Sequence, residues 1–147
     1  MPKLVVLHGP NLNLLGNRET DVYGRVTLEE INQNLTRLAA KHGVEIFCAQ
    51  SNSEGEIIDI LHREGANADC VILNPGAYTH YSIAIRDAVK GIHTPVVEVH
   101  LSNIYAREEF RHVSVVAPAA KGQISGFGPF SYQMAFYAAW HIMKENS

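Results

Sequence analysis

The chain has 147 residues, 46% of them hydrophobic and 18% charged, with a formal net charge of −3. That length buries roughly two thirds of the unfolded surface in one core without disulfide or metal staples, so one domain over residues 1–147 is expected. The charge balance supplies no basic field for nucleic acid and no polybasic membrane patch, and no apolar run approaches the ~20 residues of a bilayer span.

The opening MPKLVVLHG lacks the length and cleavage pattern of a secretory leader, and Cys48 and Cys70 both fall in apolar, strand-like runs. Two buried, reduced thiols in a cytoplasmic protein are the expectation.

Lys3–His8 reads as a buried strand, which runs into an overlong loop ending at Gly24. The loop holds Asn11, Asn13, Arg18 and Tyr23 and is punctuated by Gly9, Pro10, Gly16 and Gly24. Loops of about fifteen residues in small domains are usually functional, so residues 16–24 are expected to form a lid hinged at its two glycines. A helix follows at Leu28–His42, with Leu28, Ile31, Leu35 and Leu38 on one face, a Thr27/Glu30 capping box and a stop at Gly43. Val44–Ala49 is the second strand. A second capping box, Ser53 with Glu56, opens a helix carrying Ile57, Ile60 and Leu61 that ends near Gly65. Cys70–Leu73 is the third strand, a helix near Tyr81–Lys90 closes at Gly91, and Pro95–Val99 is the fourth strand.

Two segments, Val113–Ala117 and Gly122–Gly126, compete for the fifth strand, and periodicity does not choose between them. Phe130–Met143 is a final helix that is apolar on most faces, which points to a subunit interface. Repeated βα units imply a parallel sheet with helices on both faces. The expected class is α/β, a flavodoxin-like sheet of five strands in the order 2-1-3-4-5.

Sheets of this kind bind ligands outside the carboxyl ends of their strands. Asn11 and Asn13 follow the first strand, and Gln50, Ser51 and Asn52 follow the second. Asn74 follows the third, trailed by Gly76, Thr79 and His80. The fourth runs Glu98-Val99-His100-Leu101-Ser102-Asn103. These uncharged hydrogen-bonding groups fit a neutral, hydroxyl-rich ligand better than a polyphosphate. GPNLNLLG has neither the GxGxxG spacing nor the Lys-Ser/Thr ending of phosphate-cradling loops.

His8 ends a strand beside a tight turn and could simply be packing there. His42, His62, His93, His112 and His141 read as helix-surface or loop residues. No histidine pair has zinc-protease spacing, and two cysteines in apolar strands do not complete a zinc site, so no metal is expected. Glu98 and His100 lie two apart in a strand and point to the same face. A carboxylate so placed orients an imidazole and favours its protonated form, although an ordinary ion pair is the plainer alternative. Ser102, His100 and Asp87 do not make a hydrolase triad, because no GxSxG elbow exposes a serine.

Five blocks in order, HGPNLNLLGNRE…YG, QSNSEGEIID, ILNPGAYTHYSIAIRDA, VEVHLSNIYAREEFRHVS and KGQISGFG, closely resemble the type II dehydroquinases over nearly the whole chain. The resemblance implies reversible dehydration of 3-dehydroquinate to 3-dehydroshikimate, in the shikimate and quinate pathways, without metal or cofactor. It implies a homododecamer built as a tetramer of trimers, with no nucleic-acid or membrane partner. It makes Tyr23 the base at the carbon beside the ketone and gives Arg18 the task of keeping that phenol ionised. Asn11, with a water, would steady the enolate oxygen, and His100, oriented by Glu98, would protonate the departing hydroxyl. Asn74, Ser102 and the backbone N–H of Leu101 would hold the substrate carboxylate. His80 and Arg111 would bind ring hydroxyls, and Asp87 would reach in from a neighbouring subunit. Thr20 stands where many members have proline, and Tyr81 where a smaller hydroxyl residue is common; neither removes a reacting group.

The chemistry is physically coherent. Ionising a phenol of pKa ~10 near neutral pH costs roughly 3–4 kcal/mol, and one well-placed cation lowers such a pKa by about 1–3 units. Arginine suits that task because it stays protonated, and a dry, closed lid would strengthen it.

Overall fold

The structure, a computed structural model, describes residues 1–17 and 24–146. Among these, strands β1 (Lys3–His8), β2 (Glu45–Gln50), β3 (Cys70–Asn74), β4 (Val96–His100) and β5 (Gly122–Ser125) pair in parallel in the order β2-β1-β3-β4-β5. The main helices are α1 (Leu28–His42), α2 (Glu54–Ile60, continued by a π-helical turn over Leu61–Gly65), α3 (Ile83–Gly91) and α4 (Phe130–Glu145). This is the flavodoxin-like order expected from the alternation of elements.

Period-two alternation in the strands sorts the core into two layers. Leu4, Val6, Cys70, Ile72, Val97 and Val99 pack with Ile31, Leu35 and Ala39 of α1 and with Tyr132, Ala135, Phe136 and Ala139 of α4. Val5, Leu7, Val71, Leu73 and Val96 pack on the other face with Ile57, Ile60 and Leu61 beneath and Ile85, Ala88 and Val89 of α3. The helix starts are fixed by side chains: Thr27, Ser53 and Ser82 each accept from the backbone N–H three residues on, satisfying donors that a first turn leaves open. Gly43, at φ 70°, closes α1.

Strand register sets the site. His8 pairs with Gln50 on one side and Asn74 on the other, and His100 pairs with Ser125, so polar residues line the carboxyl edge of the sheet. Strands β2, β3 and β4 each run one residue beyond the expected end, because pairing continues into those polar residues.

Gly122–Ser125 is the fifth strand. Val113–Ala117 instead covers the α2/α3 face: Val115 N–H donates to the Thr79 carbonyl at 2.7 Å, Val116 is buried in that layer and Val113 is exposed. The helix expected from Tyr81 begins at Ile83, and Gly76–His80 ahead of it forms a separate 3-10 turn. Helix α4 meets β3, β4 and α1, and His42 of α1 lies against Phe136, Tyr137 and Trp140, with ring centroids 5.6, 5.6 and 4.8 Å apart. Its apolar excess is therefore largely taken up within the chain, leaving Phe130 and Tyr137 outward.

Gly9 is required where β1 leaves the sheet. Its N–H donates to the Asn74 carbonyl at 2.7 Å, and a Cβ there would sit 2.7 Å from that oxygen and from the Pro75 carbonyl carbon. Cys70 is buried and Cys48 half-buried; both are free thiols, which burial pushes up to about 12 and about 11. They are protonated and inert at neutral pH. Among the described residues no helix is long and apolar enough to cross a membrane.

Candidate active site

A pocket of about 110 Å³ opens at the carboxyl edge of the sheet. Asn11 reaches it from the β1 exit, Asn74, Gly76 and His80 from the β3 exit, and His100, Leu101 and Ser102 from the β4 exit. Arg107 and Arg111, farther along the β4–β5 connection, complete the wall.

Asn11 is one of two non-glycine residues with positive φ among those described, at φ 68° and ψ −2°. Asparagine tolerates this left-handed conformation better than most residues, yet it still needs support. Asn52 Oδ1 supplies it, accepting from the Asn11 N–H at 2.9 Å. Asn52 is held in turn by Gln50 Nε2 at 3.1 Å and by the Tyr78 hydroxyl, which donates to the Asn52 carbonyl at 2.8 Å.

On the α2/α3 side of the sheet, Glu98 is fully buried and bonded to His100 Nε2. The same carboxylate accepts from Thr79 Oγ1 at 2.7 Å, Ser114 Oγ at 2.9 Å and Gln123 Nε2 at 3.1 Å. Burial pushes its pKa up, but the His100 bond and charge, with Thr79 and Ser114, outweigh that and hold the carboxyl below its ordinary value. An ionised Glu98 fixes the imidazole through Nε2 and leaves Nδ1 for the pocket. His80 Nδ1 donates to the Val113 carbonyl at 2.7 Å, which leaves its Nε2 as an acceptor. Burial, with smaller contributions from the charges of His100 and Arg111, lowers the His80 pKa, so it faces the pocket neutral.

On the α1/α4 side, Asn74 is buried and its carboxamide is pinned at both ends. Nδ2 donates to the Tyr132 hydroxyl at 3.0 Å, and Oδ1 accepts from Gly76 N–H at 3.0 Å. Arg107 Nη1 donates to Ser102 Oγ at 3.3 Å, and His112 Nε2 donates to the Arg107 carbonyl at 2.9 Å. Arg111 Nε lies 2.7 Å from Glu108 Oε2 as an ion pair whose angle falls outside hydrogen-bond geometry.

Of the residues singled out in the sequence, Asn11, Asn74, His80, His100, Leu101, Ser102 and Arg111 converge on this pocket, and Glu98 stands directly behind His100. Asp87 is exposed on α3 and does not line the pocket. Arg18 and Tyr23, with the rest of the expected lid from 18 to 23, lie outside the described residues. The expectation of a neutral ligand needs amendment, because two guanidinium groups suit an anionic group beside the hydroxyls. Arg107 lies beyond the strand exits, where the strand-exit rule does not reach. Thr79 stands out in the sequence only as a neighbour of Asn74, and Ser114 and Gln123 carry no local pattern that marks them as partners of Glu98. Among the described residues no cluster of three or more His, Cys, Asp or Glu side chains is placed to hold a metal ion.

The chain matches the family described as Dehydroquinase class II over residues 2–140. It belongs to that family. As a class II dehydroquinase it is 64% identical over 137 residues to the 3-dehydroquinate dehydratase of Pelotomaculum thermopropionicum, covering 93% of this chain and 95% of that one. The crystal structure of the type II dehydroquinase from Butyrivibrio crossotus superposes with a TM-score of 0.91 at 45% identity, covering 94% of this chain and 97% of that one. The type II dehydroquinase from Propionibacterium acnes gives the same TM-score at 38% identity, with 96% and 97% covered.

Proposed function

We propose that this protein is a 3-dehydroquinate dehydratase, a hydro-lyase that removes water from 3-dehydroquinate to give 3-dehydroshikimate in the shikimate or quinate pathway. The observation that carries the reading is the pocket wall of Asn11, Asn74, His100, Ser102 and Arg111, with the buried Glu98 behind the imidazole. Family membership gives that wall its substrate.

The reaction needs a base at the carbon beside the ketone, a group to hold the enolate oxygen, and an acid for the leaving hydroxyl. Tyr23, kept ionised by Arg18, takes the proton. The electron pair moves to the ketone oxygen, where Asn11 and a water stabilise it. Collapse of the enolate breaks the C–O bond, and His100 Nδ1 gives its proton so that water departs. The imidazole is then neutral and the phenol protonated, and proton return restores both. Glu98 holds His100 in the orientation this requires. Asn74, Ser102 and the Leu101 N–H hold the substrate carboxylate, while His80 and Arg111 take ring hydroxyls.

The working assembly in this reading is a homododecamer, a tetramer of trimers, with Asp87 completing a neighbour's site. The exposed Tyr81, Ile83, Phe110 and Val113, near the pocket rim, support burial by other copies. Two free thiols support a cytoplasmic setting. Incubation with 3-dehydroquinate should produce the ultraviolet absorbance of a conjugated enone. A folded protein that binds the compound without that absorbance would instead be a binding module on the same fold.

A further inference from the structure

Behind the Asn74 carboxamide, a chain of buried polar groups runs away from the pocket through the α1/α4 layer. Asn74 Nδ2 meets the Tyr132 hydroxyl at 3.0 Å, the hydroxyl meets His8 Nδ1 at 2.9 Å, and His8 Nε2 meets Asn32 Oδ1 at 2.7 Å. Tyr132 is 1% exposed and His8 is fully buried. None of Tyr132, His8 and Asn32 lines the pocket.

We propose that Tyr132 and His8 are positioning residues, and that the one-way chain from Asn74 through Tyr132 and His8 to Asn32 acts with Gly76 N–H to hold the Asn74 carboxamide with an amide N–H toward substrate. The direction is fixed at the pocket end by a main-chain group. Gly76 N–H can only donate, so the Asn74 atom it meets must be the carbonyl oxygen. The amide nitrogen then faces Tyr132, whose oxygen accepts and whose proton passes to His8 Nδ1. His8 must carry its own proton on Nε2, and Asn32 Oδ1 accepts it. The reverse chain would set the Asn74 amide N–H against Gly76 N–H, donor against donor.

His8 has to be neutral for its Nδ1 to accept, and burial, only partly offset by the Asn32 bond, lowers its pKa to about 4. With one amide proton committed to Tyr132, the other N–H of Asn74 is available to the pocket. A donor there attracts a carboxylate, whereas the flipped carboxamide would present an oxygen and repel it. Three buried polar groups and the half-buried Asn32, strung through a layer otherwise packed with Leu, Ile and Phe, add little net stability over apolar packing of the same shape. Their consequence is orientation.

This inference rests on the reading that Asn74 holds the substrate carboxylate, and the test separates the two. Steady-state kinetics with 3-dehydroquinate are measured for Asn74→Ala, Tyr132→Phe, the double variant and Asn32→Leu, each checked for native melting. Tyr132→Phe should raise KM about tenfold with kcat within about twofold of the parent, the pattern of lost uniform binding. On the Asn74→Ala background it should add nothing, because the group it positions is gone. Asn32→Leu, on the half-buried face of α1, should raise KM about threefold by releasing the His8 tautomer.

A KM unchanged in Tyr132→Phe, with Asn74→Ala impaired, overturns the positioning role and leaves the carboxylate reading intact. A KM unchanged in Asn74→Ala overturns both. A lower kcat at unchanged KM, with a lower melting temperature, assigns Tyr132 to structure alone and also overturns the proposal. Should Tyr132→Phe fail to fold, Asn32→Leu decides by the same readouts.

Discussion

Thr79 donates its hydroxyl to Glu98 at 2.7 Å from the turn that delivers the next residue, His80, to the pocket. The carboxylate behind His100 is thus tied to the segment that carries a second pocket imidazole. Ser114 closes the arrangement, its Oγ donating to Glu98 at 2.9 Å and lying 2.7 Å from Thr79 Oγ1.

Glu98→Gln preserves the shape of this cluster while removing the charge. His100 loses the anionic acceptor that holds its Nε2, so kcat should fall about 10- to 100-fold with KM little changed. Steady-state kinetics check this, and a kcat within twofold of the parent would count against Glu98 as the orienting group.

Asn52→Ala removes the acceptor of the Asn11 N–H and leaves the left-handed backbone there unsupported. If Asn11 steadies the enolate oxygen, the loss is felt in the transition state, and kcat should fall about tenfold while KM holds. A rise in KM alone would make Asn11 a ground-state binding residue.

Tyr23→Phe should still bind substrate and lose nearly all turnover. Arg18→Ala should move the pH at which activity rises to higher values, since the phenol no longer has a cation to favour its anion. Binding by calorimetry and pH–rate profiles read the two outcomes. An active Phe variant removes Tyr23 from the role of base.

His8 makes stability depend on pH. Its folded pKa, about 4, lies below the ordinary 6.5, so the unfolded chain binds the extra proton. Stability from this group is complete above about pH 6.5 and is lost as pH falls toward 4, by at most about 3 kcal/mol. Glu98, also depressed, adds a second loss of the same sign below the ordinary carboxyl range. Denaturant titrations of the parent and of His8→Gln between pH 7 and pH 4 should differ in slope, the variant being flatter.

The sheet order and the pocket's place were legible because strand alternation, capping boxes and the strand-exit rule are local patterns. The rest was not local. Gly122–Ser125 pairs with β4 and Val113–Ala117 does not, although Val113–Ala117 is the more apolar segment; its Val116 packs into the α2/α3 layer instead of joining the sheet. The aromatics of helix α4 point several ways, and nothing local shows that His42 of α1 packs against three of them while Phe130 and Tyr137 stay outward. His8 read as packing beside a turn, since its partners Asn32 and Tyr132 lie 24 and 124 residues away. Arg107 escaped because it reaches the pocket from beyond the strand exits, in a connection that folds back over Ser102.

The support for His100 and the support for Asn74 lie in different layers of the sandwich, with the sheet between them. In the proposed mechanism, repacking around α2 and α3 reaches the pocket through β4 and acts on proton delivery. Repacking around α1 and α4 reaches it through the end of β3 and acts there on the hold on substrate. Turnover and affinity can therefore drift independently under mutation, each through its own half of the core.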